Sequence, residues 1–218
     1  MAELFPILAV ETSGNLCSIA VMLDNKNFIE LNYSLKFIHS KKIIDMIDTV
    51  LKNADLGTAN LKCIAFSMGP GSFTGLRIGL SAVKGIAFGN DLPIIPVPTF
   101  KAFAQHISDY LMDGAVFNIA VMANIDEVYF AKYSKCGSEV ITVEDLKLVG
   151  LSEIENLIKD NEVVIGNVNC KTYSSKLTFP GAAAIGKWAY LFGNDLLTFQ
   201  YDYLEPNYFK NFIPKVKK

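Results

Sequence analysis

The order in which apolar runs switch between strand-like and helix-like periods is the strongest constraint on what this chain can become. Phe5 to Glu11 is a short apolar run that reads as a strand, and Thr12-Ser13-Gly14-Asn15 reads as a turn. Leu16 to Leu23 is a second strand, Asp24-Asn25-Lys26-Asn27 a hairpin-type loop, and Phe28 to Ser34 alternates as a third strand. Ser40 can cap a helix running to about Asn53, with Ile43, Ile44, Ile47, Val50, Leu51 and Ala54 at helical spacing. A buried strand over Leu61 to Phe66, a helix over Thr74 to Phe88 and a short strand between Pro93 and Pro98 follow. Beyond them come a helix from Thr99 to about Met112 and strands over Ala115–Met122, Glu127–Ser134 and Glu139–Val143. Helix Ser152–Lys159, strand Glu162–Ile165 and helix Ala182–Phe192 complete the order. Three strands, helix, strand, helix: the same order appears twice.

Two copies of that unit predict an α/β chain with an actin-like, ribonuclease-H-like duplicated fold. It has two lobes, each with a mixed sheet and flanking helices. The division falls near Pro98, giving a first lobe over 1–98 and a second, degenerate lobe over 99–218 with a C-terminal tail. The 218 residues are 51% hydrophobic, enough to fill such lobes. A net charge of −2 supplies no global basic field for nucleic acid. The lysines of the tail, Lys210, Lys215, Lys217 and Lys218, read as a solvated end. No apolar run approaches the roughly 20 residues that span a bilayer, and Met1-Ala2-Glu3 lacks the basic start of a signal peptide. Cys17, Cys63, Cys136 and Cys170 are scattered, with neither zinc-site spacing nor a disulfide framework. A reduced, cytoplasmic protein with no membrane association is the expectation.

The most informative stretch is Ser67-Met68-Gly69-Pro70-Gly71-Ser72-Phe73-Thr74-Gly75-Leu76-Arg77-Ile78-Gly79. A strand that ends in a glycine-rich turn and opens a helix can gather N–H groups around an anion. The spacing fits neither a P-loop, since Gly71 is followed by Gly75 and Leu76, nor G-x-G-x-x-G, since Ser72-Phe73-Thr74 follow Gly71. The helix is unusual. At about 100° per residue, Gly75, Gly79, Ala82, Gly85 and Gly89 share one sector with Ile86, while Leu76, Leu80, Val83 and Ala87 form another. Several glycines on one helical face, each costing about 0.5–1 kcal/mol relative to Ala, imply that another backbone approaches closely. Apolar over more than half its circumference, the helix needs cover on two sides. Arg77 sits in the first turn, against the macrodipole, which points to an acidic partner or a bound anion, with a solvated surface arginine as the commoner alternative.

Catalytic constellations are weak. In a two-lobe fold of this kind a nucleotide lies between the lobes, with phosphates at the first hairpin of each. Glu11, Thr12, Ser13, Gly14 and Asn15 could serve phosphate and Mg²⁺ in the first lobe, or be an ordinary polar hairpin. The matching turn of the second lobe, Met122-Ala123-Asn124-Ile125-Asp126, has no glycine, and no carboxylate ends the strand before it. The only histidines, His39 and His106, lie far apart without metal-ligand spacing. Ser72 has no nucleophile elbow around it.

These residues resemble the TsaB (YeaZ-type) family. Ile7-Leu8-Ala9-Val10-Glu11-Thr12-Ser13 is similar to that family's opening strand and Asp-Thr-Ser turn, and His39-Ser40 to the start of its first helix. The match is densest from Gly69 to Lys84-Gly85 and continues at Pro93-Ile94-Ile95-Pro96-Val97-Pro98-Thr99. It thins beyond about residue 105, where Glu127-Val128-Tyr129 and Leu204-Glu205-Pro206-Asn207-Tyr208 are its remaining traces; the Asp-Ala-Arg-Arg-Gly usual before Glu-Val-Tyr is replaced by Met122 to Asp126.

The resemblance implies a non-catalytic partner of TsaD, the enzyme that, with the ATPase TsaE, transfers a threonylcarbamoyl group to the tRNA adenosine beside the anticodon. It implies docking to a TsaD-like subunit or, when alone, a homodimer, through Ile43, Ile47, Val50, Gly75, Arg77, Gly79, Ala82 and Ile86. tRNA would be met only through the complex. No cofactor of its own is implied, though Glu11, Thr12 and Ser13 leave room for ATP or ADP shared at the partner interface. The alternative is an actin-like ATP-dependent enzyme or a glycoprotease-type hydrolase in its own right; an autonomous RNA-binding module is a further rival.

Overall fold

The computed structural model describes residues 4–34, 39–169, 174–175 and 177–208. Strands β1 (Ile7–Glu11), β2 (Cys17–Met22) and β3 (Phe28–Tyr33) lead to helix α1 (His39–Asn53). Then come β4 (Cys63–Ser67), α2 (Phe73–Asn90) and β5 (Ile94–Val97). The first sheet has the order β3-β2-β1-β4-β5, antiparallel through the two hairpins and parallel across β1-β4 and β4-β5. Every residue of β1 is buried, as expected of a central strand covered on both faces. Leu8 and Val10 pack with α1 and α2; Ile7 and Ala9 face the opposite layer.

Helix α3 (Thr99–Ser108) joins this sheet to a second, built from β6 (Val116–Met122), β7 (Glu127–Cys136) and β8 (Glu139–Gly150). A single turn, α4 (Ile154–Leu157), and strands β9 (Val163–Gly166) and β10 (Ser174–Ser175) follow, with the sheet order β10-β9-β6-β7-β8. Phe100, Phe103 and Ile107 of α3 cover one face, against Phe117, Ile119 and Val121. Each sheet thus has three antiparallel strands continued by parallel ones, and the duplicated, actin-like two-lobe architecture stands.

Helix α5 (Ala182–Phe192) crosses back to the first sheet. Its Ala182, Ile185 and Ala189 fill the layer beneath Ile7 and Ala9, and Thr198 bridges Ile94 of β5. The sequence pattern marks the helix but not the sheet it covers. Strand β8 runs seven residues past Val143, since Glu144, a poor strand former, stands opposite Lys132 of β7 and pairs with it at 3.5 Å. The helix expected over Ser152–Lys159 shrinks to a 3₁₀ turn and α4, because the backbone is already extended at Ile158. Cys170, the tail lysines and the side chain of His39 lie outside the described residues. Among the described residues no helix is long and apolar enough to cross a membrane.

Candidate functional site

The end of β1 meets the glycine turn after β4, and that junction builds one wall of a cleft. Glu11 folds back on the turn that follows it: its Oε1 accepts from both the amide and the hydroxyl of Ser13. The Ser13 carbonyl in turn accepts from the Ser72 amide at 2.6 Å. Gly71 is needed here, as a Cβ on it would sit 2.3 Å from the Ser13 carbonyl oxygen. Ser72 then caps α2, its hydroxyl accepting from the Gly75 amide at 3.2 Å.

The opposite wall belongs to the second lobe. Asn124 closes the β6–β7 turn by accepting from the Asp126 and Glu127 amides at 2.9 and 3.1 Å, an Asx turn in place of a glycine. Its Nδ2 donates to Glu127, and Asn167 accepts from the Met122 amide at 2.8 Å. The C-terminal segment completes the mouth. The Asn207 amide donates to the Met68 carbonyl at 2.7 Å, and the Tyr208 ring lies 4.9 Å from that of Phe73. Arg77 is stacked over Phe73 at 4.0 Å and donates from Nε to the Tyr208 hydroxyl at 3.1 Å. The acidic partner expected for it is replaced by rings and a hydroxyl, and no salt bridge to it occurs among the described residues. The cleft, open to solvent at its mouth, has a volume of about 600 Å³.

Of the three residues expected to hold nucleotide, Ser13 alone lines this cleft. Glu11 and Thr12 are wholly buried beneath it. Burial pushes the Glu11 carboxyl up to about 7, against the lowering pull of the Ser13 hydroxyl and amide. The Ser67 hydroxyl adds a weaker lowering pull, and Thr12 Oγ1 has no hydrogen-bond partner among the described residues. Among the described residues the lining contains no lysine or arginine, and it includes the carboxylate of Glu127. Among the described residues no group of three or more His, Cys, Asp or Glu could hold a metal ion.

The expected interface residues divide. Ile43, Ile47 and Val50 are buried in the chain's own core between α1, α2 and the first sheet. Gly75 and Gly79 are also satisfied internally: a Cβ at either would lie 2.2 Å from Thr12, at its carbonyl oxygen and its hydroxyl respectively. The close backbone inferred from the glycines is therefore β1's own extension. Gly85 and Gly89 differ, since a Cβ there would meet nothing within 4 Å. With exposed Arg77, Ser81 and Phe88, Gly85 forms a solvent-facing stripe, bordered by half-buried Ala82 and Ile86. Sequence reasoning does not single out Asn167, Phe179, Asn207 and Tyr208 as parts of one cleft. The Pro206-x-Tyr208 resemblance is the one available signal.

The family model described as "TsaD: tRNA N6-adenosine threonylcarbamoyltransferase" matches residues 37–198. A Buchnera aphidicola (subsp. Schizaphis graminum) protein named tRNA threonylcarbamoyladenosine biosynthesis protein TsaB is 33% identical, over 70% of this chain and 72% of its own length. The chain belongs to the TsaB (YeaZ-type) family. A Haemophilus influenzae protein of the same name is 38% identical over 58% of this chain, which spans 52%, about half, of that relative's length. Among solved structures, a Pseudomonas aeruginosa protein described as similar to peptidase YeaZ superposes with a TM-score of 0.78 at 21% identity, covering 94% of this chain and 99% of that one. That likeness bears on the fold. The glycine turn that carries the family resemblance has a plain structural task in this chain: its residues lock the first hairpin to α2.

Proposed function

We propose that this chain is the non-catalytic scaffold subunit of the assembly that transfers a threonylcarbamoyl group to the tRNA adenosine beside the anticodon. It acts by docking to a TsaD-like catalytic chain and activating it. The observation that carries the reading is the outer stripe of α2, where Ser81, Gly85 and Gly89 keep side-chain bulk low and Phe88 stands 80% exposed. Small residues on an exposed helical face let a second helix approach closely, and a neighbouring aromatic gives it an anchor. Ile44 of α1 is also exposed. A second copy of the chain uses the same face when the catalytic subunit is absent. Membership of a family whose relatives are named as biosynthesis proteins, beside separately named transferases, supports the non-catalytic role.

Two measurements test this. Reconstitution with the TsaD-like chain, the TsaE-like ATPase and tRNA from the same source should yield modified adenosine only when this chain is present. Product formed equally well without it, or by this chain alone, would overturn the reading. Gly85→Leu and Phe88→Ala, both at exposed positions, should each weaken binding to the TsaD-like chain about tenfold or more. Undiminished binding by both would place docking elsewhere.

A further inference from the structure

Beyond the end of α2 the surface gathers rings and negative charge in one place. Phe88 comes from the last turn of the helix, and Phe199, Tyr201 and Tyr203 come from the segment after α5. With Asp91 and Asp202 they line an open hollow of about 340 Å³. Phe88, Phe199 and Tyr203 are exposed, the last at 84%. Exposed rings clustered this closely mark a contact surface. The frame that carries them is tied down. The Tyr201 hydroxyl donates to the Leu92 carbonyl at 2.7 Å, its ring stands edge-on to Phe88, and Thr198 pairs with Ile94 of β5.

The charge there is one-sided. Asp91 is the C-cap of α2, at the negative end of the helix dipole, and the last turn of α2 has no basic residue. Among the described residues neither Asp91 nor Asp202 is ion-paired, and no lysine or arginine lines the hollow. Ring faces and carboxylates both attract a cation. A guanidinium suits the pair best, because its plane stacks on a ring while its N–H fork meets a carboxylate. We infer that the hollow receives an arginine side chain of the TsaD-like chain. The inference rests on the docking proposed above and names the chemistry at one end of that face, since Phe88 belongs to both. A second copy of this chain is a poorer occupant. Its sole arginine, Arg77, is already stacked over Phe73 and bonded to the Tyr208 hydroxyl.

Calorimetry with the TsaD-like chain from the same source tests this on the full chain. Tyr203→Leu keeps apolar bulk but loses the ring face, and should weaken binding about fivefold; Tyr203→Phe should bind as the wild type does. Asp91→Asn combined with Asp202→Asn should weaken binding about tenfold and lessen its salt dependence. Asparagine tolerates the left-handed backbone of position 91, where φ is 51°, so the cap is kept. Phenylglyoxal labelling of the TsaD-like chain, saturated with this one, should find an arginine that the wild type protects and the double variant leaves open. No such arginine, or unchanged affinity in both Tyr203→Leu and the double variant, would overturn the inference. If Gly85→Leu still weakened binding in that case, the docking reading would stand without it. No binding by the wild type would overturn docking itself, and this inference with it. Variants that weaken self-association in light scattering but not partner binding would give the hollow to a second copy instead.

Discussion

The two halves of α2 carry the same kind of sequence and face different surroundings. Gly75 and Gly79, in the first half, abut Thr12 at the end of β1; Gly85 and Gly89, in the second, border open space. A helical wheel places all four in one broad sector, but the wheel ignores that the first sheet ends beneath the helix. Where strand and turn run under α2, the missing Cβ atoms admit the chain's own backbone. Beyond the strand end no described residue fills the space. One small-residue stripe thus serves the fold in its first half and stays exposed in its second.

The largest effect should come from disturbing the first half. In Gly75→Ala the new Cβ would lie 2.2 Å from the Thr12 carbonyl, backbone that cannot rotate away. The cost should be about 3 kcal/mol, the upper end for overpacking, or roughly 6–12 °C in Tm for a chain of this size. Gly79→Ala should cost less, about 2 kcal/mol, because its clashes are with side chains, the Thr12 hydroxyl at 2.2 Å and the Phe66 ring at 2.7 Å. Adding Thr12→Ala should restore part of that loss in Gly79→Ala, the contact with the Phe66 ring remaining, and almost none in Gly75→Ala. A double-mutant cycle by thermal or urea unfolding measures the difference.

This division explains what is legible in the sequence. The repeated order of strands and helices can be read because buried strands and amphipathic helices have distinct periods. That order forecasts both sheets. The return of α5 cannot be read, since Ala182, Ile185 and Ala189 mark an apolar face without saying which sheet it covers. At the site, the glycines announce a close approach, but no sequence rule tells an internal approach from an external one. Ile43, Ile47 and Val50 read as interface for the same reason, an apolar helical face being alike whether core or contact surface. The cleft is least legible, because Asn15, Asn167 and Asn207 come from three distant segments that only folding brings together.

Glu11 sharpens the comparison by asking how firmly the support under the first half is held. Its folded carboxyl titrates near 7, against 4.5 as the ordinary value, so the folded state binds more protons than the unfolded state between those limits. Stability from this group is therefore present below about 4.5 and is lost as pH rises toward 7 and beyond. The loss should be on the order of 2 kcal/mol between about pH 5.5 and 7.5. Glu11→Gln should flatten that slope while keeping an acceptor for the Ser13 amide. Urea unfolding of both proteins across the range tests it; parallel slopes would mean that Glu11 is not the responsible group.

The smallest effect, and the one that separates the halves most cleanly, belongs to Gly85. With nothing within 4 Å of where its Cβ would stand, Gly85→Ala relieves the helix of a poor former without a clash. The isolated chain should gain about 0.5–1 kcal/mol, or roughly 1–4 °C in Tm. The same methyl group would intrude where a second helix packs, so binding to the TsaD-like chain should weaken as stability rises. Opposite signs in the two measurements would mean that a glycine unfavourable in the free chain is suited to a bound one. A gain in stability with unchanged binding would instead place the partner's contact away from Gly85, and leave the first half of α2 as the only part where small residues answer to a neighbour.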